Sequence, residues 1–171
     1  DEDGVALAQM LEKNTHLRVL TLEGNKLGLK AAKAFADALA VNTTLKTLNL
    51  ESNNITSNGS EQTGVMNISQ ALRKNKSLLV LNLASNFITS QGGASLTQAI
   101  RDNDTLTMLD TSSNELSVEH ARLIAEKIGA NRDVLSAQRR MQRLERGRCN
   151  EEDFESREFE MKTEARRLEL E

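Results

Sequence analysis

Residues 42–55 read NTTLKTLNLESNNI, and nearly the same phrase returns three more times. It is NTHLRVLTLEGNKL from Asn14, NKSLLVLNLASNFI from Asn75 and NDTLTMLDTSSNEL from Asn103. The opening asparagines Asn14, Asn42, Asn75 and Asn103, followed by Asn131, are spaced by 28, 33, 28 and 28 residues. A period of this size marks a repeat architecture, in which a unit that cannot bury its own apolar face stacks on its neighbours. Within the phrase, Leu45, Leu48 and Leu50 are expected to face inward while Thr47 and Asn49 alternate outward, which is the period of a short strand. Asn53 follows where the chain must turn. Because an amide both donates and accepts, a column of Asn25, Asn53, Asn86 and Asn114 can satisfy turn backbone from one coil to the next.

Each phrase is followed by a helical pattern. Ala32, Phe35, Ala36 and Leu39 share one face, and Phe35 aligns with Ile68, Leu96 and Ile124 in later repeats. Leu7, Ala8 and Leu11 match Phe35, Ala36 and Leu39, so residues 1–13 read as the helical half of a repeat belonging to a longer protein. Alternating helices and strands with short links predict an α/β, right-handed solenoid over residues 1–131, with a parallel concave sheet and convex helices. The strands should centre on Leu20, Leu48, Leu81 and Leu109. Repeat two carries five extra residues within TSNGSEQTG, 56–64, whose composition predicts a surface loop. His120 replaces the small residues Ala31, Gly64 and Gly92 of its column and should cover the helix entry of the last repeat.

Bulk composition narrows the function classes. The chain has 171 residues, enough for one real core, and its net charge of −3 offers no nucleic-acid signature. Four Phe and no Trp or Tyr leave that core to aliphatic side chains. No apolar run approaches the length of a membrane span. Cys149 is the single cysteine, so no intrachain disulfide is available and a reducing, cytoplasmic setting is expected. No phosphate loop, nucleotide fingerprint or zinc spacing is present, and His16 and His120 are the only histidines. The chain is therefore expected to lack catalysis, cofactor, metal and small-molecule substrate.

Protein binding is the remaining class, and the outward strand positions supply its candidate surface. They form three lanes. Val19, Thr47, Val80 and Met108 make the first; Thr21, Asn49, Asn82 and Asp110 the second; Glu23, Glu51, Ala84 and Ser112 the third. Apolar contact beside hydrogen-bonding and acidic groups has the composition of a protein interface.

Residues 132–171 read as a charged helical cap or extension. Val134, Ala137, Met141 and Leu144 follow an a/d spacing suited to covering the end of the last repeat. Asn150 before Glu151, Glu152 and Asp153 resembles a helix N-cap, predicting a break near Gly147. The first half is basic, and Arg139, Arg140 and Arg143 form a candidate docking face for an acidic partner. The second half is acidic.

The L-x-x-L-x-L-x-x-N-x-L phrase with its helical sequel resembles the ribonuclease-inhibitor-like leucine-rich repeat family, which is mostly intracellular and works by binding proteins. Within it, NTTLKTLNLESNNIT at 42–56 is similar to repeats of tropomodulins and leiomodins. NRDVLSAQRRM at 131–141 is similar to the basic terminal helix of their repeat domain. That resemblance implies regulation of actin filament pointed ends, although the family's atypical long repeat with its aromatic sequel is not reproduced here. A second resemblance, to the GTPase-activating protein of Ran, implies a GTPase regulator.

Overall fold

A computed structural model describes the backbone of residues 1–168, and side chains through Arg148 together with Phe154 and Arg157. Helices and strands alternate along the chain. They are α1 (Glu2–Lys13), β1 (Val19–Thr21), α2 (Leu29–Val41), β2 (Thr47–Asn49), α3 (Thr63–Lys74), β3 (Val80–Asn82), α4 (Ser90–Arg101), β4 (Met108–Asp110) and α5 (Val118–Leu168). The strands make one parallel sheet in chain order, with Leu20, Leu48, Leu81 and Leu109 in register. The chain divides into two compact units, Asp1–Arg132 and Asp133–Glu171. The first is the leucine-rich repeat solenoid.

Its core is a stack of aliphatic layers. Leu45, Leu48 and Leu50 of coil two and Leu78, Leu81 and Leu83 of coil three are essentially inaccessible, as are Phe35, Ile68 and Leu96 on the helices. Each such side chain contributes roughly 1.5–3 kcal/mol by leaving water. Close packing depends on missing side chains at several points, Gly64 and Gly92 among them. A Cβ on Gly64 would lie 2.1 Å from the Ile55 carbonyl oxygen, and one on Gly92 would lie 2.4 Å from Gln62 Oε1.

Two asparagine ladders satisfy the turns. In the first, Asn14, Asn42, Asn75 and Asn103 leave their helices, and each Oδ1 accepts the N–H groups two and three residues ahead. The Nδ2 of Asn42 donates back to the carbonyls of Leu11 and Asn14 in the preceding coil, and Asn75 and Asn103 repeat this one coil later each. In the second ladder, Asn53 Oδ1 accepts from the N–H groups of Asn25 and Leu27, and Asn114 Oδ1 accepts from those of Asn86 and Ile88.

The insertion interrupts the second ladder. After Ile55 the backbone enters the left-handed region at Ser57, Asn58 and Gly59. The loop is pinned to coil three by Thr56 Oγ1, 2.7 Å from the Asn86 carbonyl, and by Gln62, whose Oε1 accepts the Thr89 N–H. The expected loop over 56–64 closes at Gln62, because Thr63 and Gly64 already belong to α3. Asn86 Oδ1 is consequently left buried without a partner.

His120 stands half-buried in the first turn of α5, and its ring lies against α4: a Cβ on Gly93 would sit 3.3 Å from its Nδ1. One expectation is corrected. The predicted break near Gly147 does not form, since α5 continues through Gly147 and Asn150. An exposed glycine costs a helix only about 1 kcal/mol, and the Leu, Glu and Arg residues around it are strong helix formers. Val134, Met141 and Leu144 are each more than half exposed. The side chains of Cys149, Asn150, Glu151, Glu152, Asp153, Phe159, Met161 and Leu168 lie outside the described residues.

Candidate functional site

The sheet register turns the three sequence lanes into columns. Val19 stands beside Thr47, Thr47 beside Val80 and Val80 beside Met108; Thr21, Asn49, Asn82 and Asp110 pair in the same way. Parallel strands without a bulge keep every second side chain on one face, so the alternation read from sequence survives across all four coils. The first lane presents apolar surface at its two ends, where Val19 and Met108 are 57% and 56% exposed. Thr47 and Val80 between them are partly covered.

The polar lanes are wired to one another. Asn82 Nδ2 donates to Glu51 Oε2 at 2.8 Å, and Asn49 Nδ2 donates to Glu23 Oε2 at 3.4 Å. The amide oxygens of Asn49 and Asn82 accept the N–H groups of Glu51 and Ala84, and Asp110 accepts that of Ser112. These bonds fix the rotamers of the middle lane, so the surface is ordered before anything meets it and loses little entropy on binding. The third lane runs from exposed Glu23 to buried Ala84 and exposed Ser112. Its acidic end is with β1 and β2, and the three lanes contain three carboxylates and no cation.

Arg139, Arg140 and Arg143 are exposed on α5 in the second unit. A candidate contact that the three lanes do not include is Phe87. Its column otherwise holds Lys26, Asn54 and Glu115, and the ring is 51% exposed on a backbone at φ 56°. The signal was present in the alignment of the phrases, as one aromatic among three polar residues.

The perturbed carboxylates lie elsewhere. Asp104 and Glu119 are both held below the ordinary carboxylate range, the first by a hydrogen bond and charge from Lys127, the second by Arg122. Both belong to surface ion pairs whose cations stand on α5. Among the described residues, no cluster of three or more His, Cys, Asp or Glu is placed to hold a metal, and no helix is long and apolar enough to cross a membrane.

Three stretches, 13–36, 41–61 and 74–96, match the Leucine Rich repeat family. No curated protein matches the chain. Among solved structures, the chain is similar to Leiomodin-1 Actin-Binding Site 2, with a TM-score of 0.72, 24% identity, 85% of this chain covered and 81% of that one. It is also similar to the tropomodulin C-terminal domain of Caenorhabditis elegans, with a TM-score of 0.71, 17% identity, and 81% and 80% coverage. The likeness to the tropomodulin and leiomodin repeat domains is thus one of fold, and it extends over most of the chain.

Proposed function

We propose that this leucine-rich repeat solenoid is a non-catalytic protein-binding module that works through its concave sheet in a cytoplasmic setting. The observation that carries the reading is the registered face itself. Exposed Val19 and Met108 end a lane that runs beside the amides of Asn49 and Asn82 and the Asp110 carboxylate, already held in place by hydrogen bonds. Its carboxylates, without a cation among them, favour a partner surface carrying basic and apolar groups. The test is charge reversal at Glu23 and Glu51, both outside the core. The double variant Glu23→Lys, Glu51→Lys should keep its melting temperature and lose partner capture from a native lysate. Capture at the unreversed level would remove the concave face from consideration.

A second reading is actin binding, favoured by the similarity to a leiomodin-1 domain described as an actin-binding site. In that reading the exposed guanidinium groups of Arg139, Arg140 and Arg143 meet the acidic surface of actin. The chain should then alter pyrene-actin elongation at pointed ends, and Arg139→Glu, Arg140→Glu, Arg143→Glu should abolish the effect. Unchanged elongation with the parent chain leaves the general binding module as the reading.

A further inference from the structure

We infer that the open edge of β4 is a second binding site, one that takes an extended partner segment with alternating apolar residues as a fifth parallel strand. The site is separate from the concave lanes. It rests on three backbone contacts that recur at every interior junction.

At each junction, besides the ladder within the strands, one carbonyl just before a strand and two N–H groups just after it engage the next phrase. The carbonyls of Arg18, Lys46 and Leu79 accept from the N–H groups of Thr47, Val80 and Met108. The N–H groups of Leu22, Leu50 and Leu83 donate to the carbonyls of Asn49, Asn82 and Asp110. Those of Gly24, Ser52 and Ser85 donate to Glu51, Ala84 and Ser112. Around β4 the corresponding groups are the Thr107 carbonyl before it and the N–H groups of Thr111 and Ser113 after it. No following phrase meets them among the described residues.

The side chains agree with the backbone. Ala32, Val65 and Gly93 occupy one helix column, and Ala36, Ser69 and Thr97 occupy another; all six are buried by the adjoining coil. In coil four these columns are Ala121 and Ala125, and both are exposed. They line a groove of about 360 Å³ with Leu109, Ile124 and Ile128. Its lining is mixed: these side chains make the apolar part, Asp110 and Arg132 add charge beside it, and the rim is an unpaired strand.

The chemistry of the rim selects the occupant. A helix satisfies its own backbone and would leave the Thr107, Thr111 and Ser113 groups unmatched, whereas an extended segment answers all three. Its alternate side chains would enter the groove where Leu78, Leu81 and Leu83 enter the junction between coils two and three. The edge also lacks the usual protection. Residues 107–113, TMLDTSS, include no Lys, Arg or Pro, and the Asp110 carboxylate is engaged by the Ser112 N–H.

The test uses the full chain and a fluorophore-labelled peptide, NKSLLVLNLASNFI, whose sequence is that of residues 75–88. Expected are saturable binding by anisotropy and amide exchange at Thr111 and Ser113 slowed at least about tenfold by the peptide. The peptide carrying V80P, which removes the N–H that Val80 donates to the preceding coil, should fail. Ala125→Arg fills the groove from an exposed helix position; it should melt like the parent and lose peptide binding. Glu23→Lys, Glu51→Lys should bind the peptide as the parent does, so failure of the concave reading and failure of this one are separable. The proposal is overturned by unchanged exchange at Thr111 and Ser113 or by full binding to Ala125→Arg. It is equally overturned if those amides are already protected in the free chain, or if concentration-dependent dimerisation protects them, since the edge would then belong to the chain itself or to a second copy.

Discussion

Asn53 and Asn86 stand in the same column of the repeat, inside L-E-S-N and L-A-S-N, yet they hold different numbers of neighbours. Asn53 accepts from Asn25 and Leu27 and donates to the carbonyls of Leu22, Leu50 and Glu51. Asn86 donates to three carbonyls, but its Oδ1 has no partner because the insertion has carried the strand exit of the preceding coil elsewhere. Each buried backbone group stripped of its partner costs about 1–3 kcal/mol. Asn53→Ala should therefore destabilise by at least ~1 kcal/mol more than Asn86→Ala in urea titrations, and equal losses would show that the unpartnered oxygen carries no penalty. The column was legible in the sequence because an amide at a fixed period has few other uses. The orphaned oxygen was not, since it depends on the path of residues 56–62. At the surface, Lys127 depresses the titration of Asp104, and the sign follows directly. A carboxyl with a lowered folded value adds stability above its ordinary range and loses it as pH falls through the folded value. Lys127→Ala should raise the Asp104 titration by NMR while scarcely moving the melting temperature, because such exposed pairs contribute little.

Among the elements, β3 has a strand on each side and its central Leu81 is fully buried. Leu81→Ala should cost roughly 2–5 kcal/mol, the range for a buried leucine whose cavity only partly collapses. A denaturation midpoint that does not move would contradict the layered core. The strands were readable from spacing alone, because three leucines at fixed offsets specify both the period and the buried face. Helix ends were less readable. Asn14, Asn42, Asn75 and Asn103 end or closely follow helices, but Asn131 lies inside α5 and keeps only the donor half of the pattern, to the carbonyls of Asn103 and Leu106. The difference lies in the residues downstream of it: Val134, Ala137 and Arg139 replace the leucines that would have drawn the chain into a fifth strand. The break anticipated near Gly147 failed for a similar reason, since local capping signals compete poorly with a run of helix formers. In the 56–62 loop, Gln62 is the clasp between α3 and coil three, so Gln62→Ala should speed proteolysis between Ser57 and Glu61 while leaving global unfolding nearly unchanged.

For the solenoid unit, stability is a sum over coils and the junctions between them, so a coil covered on one side only should open more easily than one covered on both. The lanes of the concave face were legible because register preserves alternation, whereas the open edge was not, because it is defined by the partners the next coil fails to supply. Three amides make the comparison clean. Thr47, Val80 and Met108 donate the same hydrogen bond to the carbonyls of Arg18, Lys46 and Leu79, at 3.0, 2.9 and 3.0 Å. Bond geometry therefore cannot separate them, and any difference in exchange reports the coils around them. Val80 belongs to coil three, with β2 and β4 on its flanks, while Met108 belongs to coil four, whose Thr111 stands where the other coils place Leu22, Leu50 and Leu83. Native-state hydrogen exchange should thus give Val80 a higher opening free energy than Met108, by at least ~1 kcal/mol. Leu81→Ala should then narrow the gap from above, lowering Val80 toward Met108 rather than shifting both equally. Equal opening energies in the parent chain would mean that residues 1–132 unfold as one cooperative body, and the nearest-neighbour account of this solenoid would have to be abandoned.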